Sequence, residues 1–203
     1  MSHKCFISFK KEDRHYRDEI LKKLNQEDVP AVFLDRWINS EDADYILQEI
    51  RDQYLADTTV TLFLIGEHSK ENDGYDEQGR DKNFFIKREL QASMFDGEGN
   101  TRSGIVGIVL PALKARIFKG NYTCDKCGHE HFLAIVDDNT VIREFSANYF
   151  IEPKPGCCWH EDDRYCVLVT YENFMMDPDK YIDLAYSKRY AAVSKKIKLR
   201  NLR

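Results

Sequence analysis

Hydrophobic runs alternate with amphipathic segments over the first 110 residues of the chain. The run 59–65 ends at Gly66, and its β-branched and aromatic residues are typical of a strand that is buried on both faces of a parallel sheet. Shorter runs at 4–9, 32–34 and 105–110 predict three further strands, and between them apolar residues recur at helical spacing. We therefore predict an α/β fold: a parallel sheet of four or five strands, with 59–65 central and helices on both faces.

The segment after the central strand predicts a loop followed by a helix. Residues 67–83 are polar apart from Tyr75 and the glycines, and loops at the carboxyl ends of parallel strands are where open α/β sheets bind ligands. The helix is expected to begin near Asn83, a good N-cap residue, and apolar residues recur every four positions from Ile86. Glu89 should lie at the rim of that apolar face. A solvated carboxylate is the ordinary interpretation of such a residue.

The alternation of strands and helices breaks near residue 119. The segment that follows has a zinc-ribbon pattern. It consists of a Cys-x-x-Cys turn, a β-hairpin predicted from strands at 132–136 and 140–145, and a Cys/His cluster at 157–160. A Cys-x-x-Cys turn points two thiolates at one tetrahedral ion, so we predict a structural zinc rather than unligated thiols. The preferred ligands are Cys124, Cys127, Cys157 and His160. Cys158 is a close alternative to Cys157, and His129 and His131 are weaker candidates.

These patterns divide the chain into three parts. Residues 1–118 form the predicted α/β core, and 119–163 form the zinc-ribbon-like insertion. Residues 164–203 return to the core with a strand at 165–170 and a helical segment from about 177 to 194. The strand at 165–170 is expected to rejoin the main sheet.

Composition limits the classes of protein that fit this pattern. The net charge of −5 argues against a general nucleic-acid binder. A binder that uses the zinc ribbon and the basic tail 188–203 stays an alternative. We expect this tail to be solvated, as charge runs usually are. The sequence contains no run of 18 apolar residues, which a transmembrane helix would need, and no apolar signal region follows Met1. We therefore expect a cytoplasmic protein, whose cysteines are reduced or metal-bound.

Polar and aromatic residues collect where the predicted strands end. A crevice there suits a nucleotide, because aromatic rings can stack on flat rings and lysines can offset the charge of a pyrophosphate. Taken singly, each of these residues also has an ordinary structural interpretation. The candidate substrate-binding residues are Ser8, Phe9, Lys10, Asp13, Asp35, Trp37, Gly66 and Phe85.

Several short motifs, in order along the chain, resemble TIR-like domains. They are Phe6-Ile-Ser-Phe9, Asp13, Trp37 before an acidic helix, Val-Thr-Leu-Phe-Leu-Ile-Gly66, Arg88-Glu89-Leu90 and Gly104-Ile-Val-Gly-Ile108. They look like the TIR-like subunit of bacterial Thoeris anti-phage systems in particular, over about residues 4 to 111. The resemblance implies a flavodoxin-like, TIR-like sheet. The loop 67–83 is long for this pattern, and a cysteine-containing insertion is not a general TIR feature.

The resemblance also implies an activity. Glu89 takes the place of the family's catalytic carboxylate, which cleaves the nicotinamide–ribose bond of NAD. The Thoeris members convert the remainder into an ADP-ribose-derived signal, expected to be cyclic, that activates a separate effector. A carboxylate suits this chemistry because loss of nicotinamide leaves an oxocarbenium-like ribose centre. A phage-derived trigger and a homo-oligomer are further expectations.

Two other functions compete with this one. A non-catalytic interaction module of the same fold would use its helices to bind partners, and NAD turnover by the pure protein separates it from an enzyme. A phosphoacceptor receiver domain needs paired acidic residues at the end of the first strand. The sequence Ser8-Phe9-Lys10-Lys11 does not supply them.

Overall fold

A computed structural model describes residues 3–34, 38, 40, 42–97 and 101–200. The strands are β1 (Cys5–Ser8), β2 (Ala31–Phe33), β3 (Val60–Ile65), β4 (Gly104–Val109), β5 (Phe118–Thr123), β6 (Glu130–Ala134) and β7 (Val167–Thr170). The helices are α1 (Arg14–Gln26), α2 (Ala43–Ile50), α3 (Phe84–Met94), α4 (Pro111–Ile117), α5 (Arg143–Tyr149), α6 (Tyr171–Met176) and α7 (Pro178–Lys188). Short 3-10 turns cover Lys11–Asp13, Glu161–Asp163 and Ala192–Lys196, and a π-helical turn, Arg51–Leu55, extends α2.

Five strands form one parallel sheet in the order β2-β1-β3-β4-β7. This confirms the predicted α/β fold, with β3 at the centre and β7 rejoining the sheet beside β4. The chain leaves β1 for β2 on one side and later returns to β3 on the other, so the strand order reverses between β1 and β3. Open α/β sheets bind ligands outside the carboxyl ends of the strands at such a switch point.

The central strand is buried on both faces because helices cover both. Leu62 and Leu64 belong to one apolar cluster with residues of α1, α6 and α7. Phe63 and Ile65 point the other way and pack with α3, α4 and α5. Full burial of such a side chain contributes roughly 1.5–3 kcal/mol. The period of two along the strand therefore fixes which helices lie on which face.

Close packing against the sheet requires glycine at one point of β4. A Cβ atom built on Gly104 would lie 2.1 Å from the backbone oxygen of Ala185 in α7. Backbone therefore packs directly on backbone at this contact, where α7 covers the sheet at β4.

Helix α3 is enclosed on more sides than its sequence predicts. Every residue from Ile86 to Met94 is buried, including Lys87, Glu89 and Gln91. The expectation of one apolar face with Glu89 at its rim is therefore wrong. The sheet, α2 and α5 surround the helix, and the amide of Gln91 donates to the backbone oxygen of Arg200 in the last described segment.

The hairpin predicted at 132–136 and 140–145 is also wrong. The antiparallel hairpin is β5–β6, and the Cys-x-x-Cys turn forms its tip. Residues 143–149 form α5 instead, because Phe145 and Tyr149, four positions apart, present one stripe to the main core. Burial of that stripe overrides the strand preference of the short run before it.

The expected N-cap residue of α3 makes a different contact. Asn83 makes no cap hydrogen bond, and its side-chain amide donates to the backbone oxygen of Lys70 at 2.6 Å. Asp13 makes none either. Asp42 caps α2 by accepting from the backbone amides of its first turn.

The described part of the basic tail packs on the fold at its first residues, whereas Lys195, Lys196 and Lys198 are exposed, as expected for a solvated run. Lys188 is buried and donates to the backbone oxygens of Glu161 and Arg164. Arg189 donates to the backbone oxygen of Arg102 at 2.6 Å. None of the helices that the structure describes combines the length and the apolar character needed to span a membrane.

Candidate active site

Glu89 lies beneath the carboxyl end of β1. The hydroxyl of Ser8, the last residue of β1, donates to Glu89 Oε2 at 2.6 Å. Ser8 is fully buried and Glu89 is 4% exposed. Ser8 and Phe6 are two residues apart on β1, so their side chains lie on the same face of the sheet. Phe6 packs against the α2–α3 side, and the Ser8 hydroxyl therefore points toward α3.

The surroundings of Glu89 favour its neutral form. Burial raises the pKa of the Glu89 carboxyl to about 8, and the hydrogen bond from Ser8 offsets only part of that rise. A carboxyl whose pKa is moved toward neutral pH by burial is typical of a functional site. Glu89 is therefore not the solvated surface residue that its helical position suggested.

A cavity of about 750 Å³ opens at the same edge of the sheet. This volume lies within the range of small-molecule sites. One wall comes from the end of β1 and the start of α3, and the other comes from the loop 67–83. The lining residues include Phe9, Lys10, His68, Tyr75, Arg80 and Phe85.

Glu89 stands behind this cavity rather than on its surface. Phe85 and Ile86 line the cavity, and Glu89 follows them by one helical turn on α3. Ser8 likewise precedes the lining residue Phe9. The carboxyl and the cavity therefore share one wall, which is built from Phe9, Phe85 and Ile86.

The structure brings some of the candidate substrate-binding residues to the cavity and leaves others outside it. Phe9, Lys10 and Phe85 line it, and Lys10 Nζ donates to the backbone oxygen of Lys82 at 2.5 Å, which joins β1 to the loop. Ser8 reaches Glu89 instead. Asp35 and Trp37 lie outside the described residues.

Asp13 and Gly66 meet beside the cavity. A Cβ atom on Gly66 would lie 2.4 Å from Asp13 Oδ2, so only glycine leaves room for this carboxyl. Asp13 is 8% exposed, and its Oδ2 has no hydrogen-bond partner in the structure. Burial, with a smaller contribution from Glu12, raises the pKa of Asp13 to about 6.

None of the predicted substrate-binding residues comes from the loop side of the cavity. Tyr75 is 73% exposed there and forms an isolated β-bridge with Asp81. Asp76 holds the turn between them: its backbone amide donates to the backbone oxygen of Arg80 at 2.8 Å, and its carboxylate accepts from the backbone amide of Arg80 at the same distance. The one available signal was an aromatic residue isolated in a polar stretch.

Comparison with known proteins assigns the family. Residues 6–115 match the family model of the Thoeris protein ThsB, TIR-like domain. This match covers more than half of the 203 residues. The chain belongs to the Thoeris ThsB TIR-like family. No curated protein and no solved structure matches the chain.

The ThsB TIR-like match includes both sides of the candidate active site. It runs from β1 into α4 and so contains Ser8, the loop 67–83 and Glu89. The β5–β6 hairpin and the cysteines from Cys124 to Cys158 follow the match.

Those cysteines form a possible metal site. One ligand atom each from Cys124, Cys127, His131 and Cys157 lies within 4.8 Å of the other three. Tetrahedral zinc, with zinc–sulfur bonds of about 2.3 Å, requires sulfur atoms about 3.8 Å apart, and three thiolates with one imidazole are a usual structural zinc set. The four residues therefore could hold a metal ion.

The fourth member of this group differs from the sequence-based expectation. His131, on β6, takes the place expected for His160: its Nε2 lies 3.0 Å from Cys127 Sγ and 3.4 Å from Cys157 Sγ. The hairpin explains the difference, because β6 returns antiparallel to β5 and carries His131 back beside the Cys-x-x-Cys turn. His160 lies next to Cys158, 3.5 Å from its sulfur, and Cys158 Sγ lies 3.3 Å from His131 Nδ1.

Proposed function

We propose that this ThsB TIR-like protein is an NAD-cleaving enzyme that acts in the cytoplasm and makes an ADP-ribose-derived signal nucleotide, with Glu89 as the catalytic carboxylate. The observation that carries the proposal is the buried pair of Glu89 and Ser8 at the β1–β3 switch point, one helical turn behind the cavity wall. A buried carboxyl is costly to the fold, and a functional role accounts for its presence there.

The proposed chemistry uses the charge of Glu89. The bond between the ribose C1′ and the nicotinamide nitrogen breaks, and its electron pair leaves with the ring, which becomes neutral. Positive charge then develops on the ribose, where ionised Glu89 would stabilise it. A nucleophile, either water or an atom of the same ADP-ribose, bonds to C1′ and loses a proton. Ser8 holds the carboxyl in position.

The cavity offers complementary groups for the remainder of a dinucleotide. Phe9 and Tyr75 provide aromatic surfaces for a flat base. Lys10, Arg80 and Lys82 also line it and would offset the charge of a pyrophosphate. The same lining carries five carboxylates, and Asp73, Asp76 and Asp81 among them are already paired with Lys70, Arg80 and Lys87.

We also propose that the group of Cys124, Cys127, His131 and Cys157 holds a structural zinc ion. The four protein ligands complete a tetrahedral set and leave no position for a reactive water. The β5–β6 hairpin exposes Phe132 and Leu133, so it has little apolar core of its own. Metal binding would supply the folding free energy that this hairpin lacks.

The test is product identification. Purified protein is incubated with NAD, with and without phage-infected lysate, and the products are identified by mass spectrometry. We expect nicotinamide together with an ADP-ribose-derived nucleotide, and loss of both products in a Glu89→Gln variant. The nucleotide fraction is then applied to the separate effector, which it should activate. If wild-type protein releases no nicotinamide with lysate, the enzyme proposal fails and the non-catalytic interaction module replaces it.

A further inference from the structure

A buried carboxylate is one of the anchors of the loop that forms one wall of the cavity. Glu71 is 5% exposed and lies between the lining residues His68 and Asp73. Its Oε1 pairs with Lys87 Nζ of α3 at 3.1 Å, and its Oε2 accepts from the backbone amide of Arg143 at 2.9 Å. The backbone amide of Glu71 also donates to the backbone oxygen of Asp138 at 3.0 Å.

Arg200 supplies a second cation to the same carboxylate. Arg200 Nη1 lies 2.8 Å from Glu71 Oε1, and the remaining side of the guanidinium makes a two-bonded pair with Glu144, at 3.0 Å for each bond. Glu144 is 3% exposed, so the guanidinium bridges two buried carboxylates. Only a planar fork of donors can satisfy both at once.

The segment that carries Arg200 is itself fixed to the core. Lys198 exchanges two backbone hydrogen bonds with the side-chain amide of Asn148, at 2.8 and 2.9 Å. Ile197 packs against the main apolar cluster. Arg200 therefore reaches Glu71 from a segment held against α5, and not from a freely moving end.

We infer that Arg200 is a positioning residue: it braces the cavity loop through Glu71 and so sets the shape of the substrate site. The brace comes from outside the ThsB TIR-like match, because Asp138, Arg143, Glu144 and Arg200 all follow residue 115. The second part of the chain thus completes a site whose walls lie in the first part.

The contacts explain why this role belongs to Arg200 and not to the network as a whole. Lys87 lies on α3 and holds Glu71 to a helix that already packs on the sheet. At α5 the backbone amide of Arg143 binds Glu71 directly, and Arg200 adds a side-chain link through Glu144. Among the described residues, removal of Arg200 leaves Glu144 buried with no ion pair, and leaves Glu71 with Lys87 and the backbone amide of Arg143.

The test is hydrogen exchange of the loop in Arg200→Ala, with Arg189→Ala as the matched control. Arg189 is 8% exposed, against 31% for the Arg200 side chain, so its removal is at least as severe a loss of packing; it donates to the backbone oxygen of Arg102 and does not contact the loop. We expect the Glu71 amide to exchange at least tenfold faster in Arg200→Ala than in wild type, with no such change in Arg189→Ala. Arg200→Lys keeps the charge without the fork and should give an intermediate rate; it also serves if the alanine variant does not fold.

A second measurement rests on the proposed function. In NAD turnover, Arg200→Ala should raise KM severalfold while kcat changes little, because the loop shapes binding and Glu89 performs the chemistry. Unchanged exchange at Glu71 in both Arg200 variants overturns the inference, as does an equal increase across the whole chain in Arg200→Ala and Arg189→Ala. If wild type consumes no NAD, the proposed function fails. The hydrogen-exchange result alone then tests whether Arg200 positions the loop.

Discussion

Replacing Glu89 by Gln should make the stability of the protein less dependent on pH. The folded protein retains the Glu89 proton up to a pKa of about 8, whereas an unfolded glutamate loses it near 4.5. Between these values the folded state binds more protons, so the stability of the wild type falls as pH rises through this window. The glutamine variant carries no proton to lose at this position and avoids that cost.

The size of the effect follows from the same two values. A shift from 4.5 to about 8, at about 1.4 kcal/mol per pKa unit, corresponds to a cost on the order of 5 kcal/mol at high pH. Near pH 5 the buried carboxyl is neutral, and glutamine has almost the same size and can still accept from Ser8. We therefore expect the two proteins to differ by less than ~1 kcal/mol at pH 5. At pH 8.5 the variant should be more stable by several kcal/mol.

Urea unfolding at pH 5 and pH 8.5 measures this difference. Titrations elsewhere in the protein affect both proteins equally and cancel in the comparison. The control is Glu67→Gln, since Glu67 is exposed at the start of the cavity loop and its replacement should give the same difference at both pH values. If Glu89→Gln also gives equal differences, the burial argument is refuted.

Turnover of the same variant tests the catalytic role. Loss of an electrostatic group at a developing charge costs ~3 kcal/mol or more of barrier, which is a hundredfold or greater loss of rate. The combined expectation is unusual, namely a variant that is more stable than wild type at pH 8.5 and nearly inactive. Triggered wild type and variant with equal turnover would contradict the assignment of Glu89.

Three further outcomes follow from particular contacts. His131→Gln should lose most of a zinc content near one ion per chain, measured after dialysis, while His160→Gln keeps it; the opposite result would restore the sequence-based ligand set. Tyr75→Ala should raise the KM for NAD roughly five- to a hundredfold, because one stacked base contributes ~1–3 kcal/mol, and Tyr75→Phe should not. Gly104→Ala should destabilise by about 2–3 kcal/mol or more in urea unfolding, since its Cβ meets backbone; Gly156→Ala, with open space around it, is the control.

The sheet could be predicted from the sequence because its signals are local. Strands buried on both faces produce continuous apolar runs, and Val60–Ile65 has one of the longest in the chain. Its central place followed from the alternation of strands with helices. The observed order β2-β1-β3-β4-β7 confirms the central place of this strand.

The burial of α3 could not be predicted, because its cause is distant in the sequence. Lys87 and Gln91 belong to an apparently solvated face, yet Glu71 and the backbone of Arg200 cover them. No periodicity within the helix reveals partners from a loop and from a segment more than a hundred residues later. The misplaced hairpin has a similar origin, since only the packing of Phe145 on the main core selects helix over strand.

The buried state of Glu89 leads to a final expectation about pH. Without substrate the carboxyl is largely protonated at neutral pH, while the proposed chemistry needs it ionised. The nicotinamide ring of NAD carries a positive charge. Catalysis by Glu89 requires the wall of Phe9, Phe85 and Ile86 to admit that ring to within a few ångströms of the carboxyl, where an opposite charge lowers the carboxyl pKa by about 1–3 units. Bound NAD would thus generate the charge that its own cleavage requires. The profile of kcat/KM reports the free enzyme and should rise up to a pKa of about 8. The profile of kcat reports the complex and should rise at a pH roughly one to three units lower. Coincident profiles would show that substrate does not ionise Glu89.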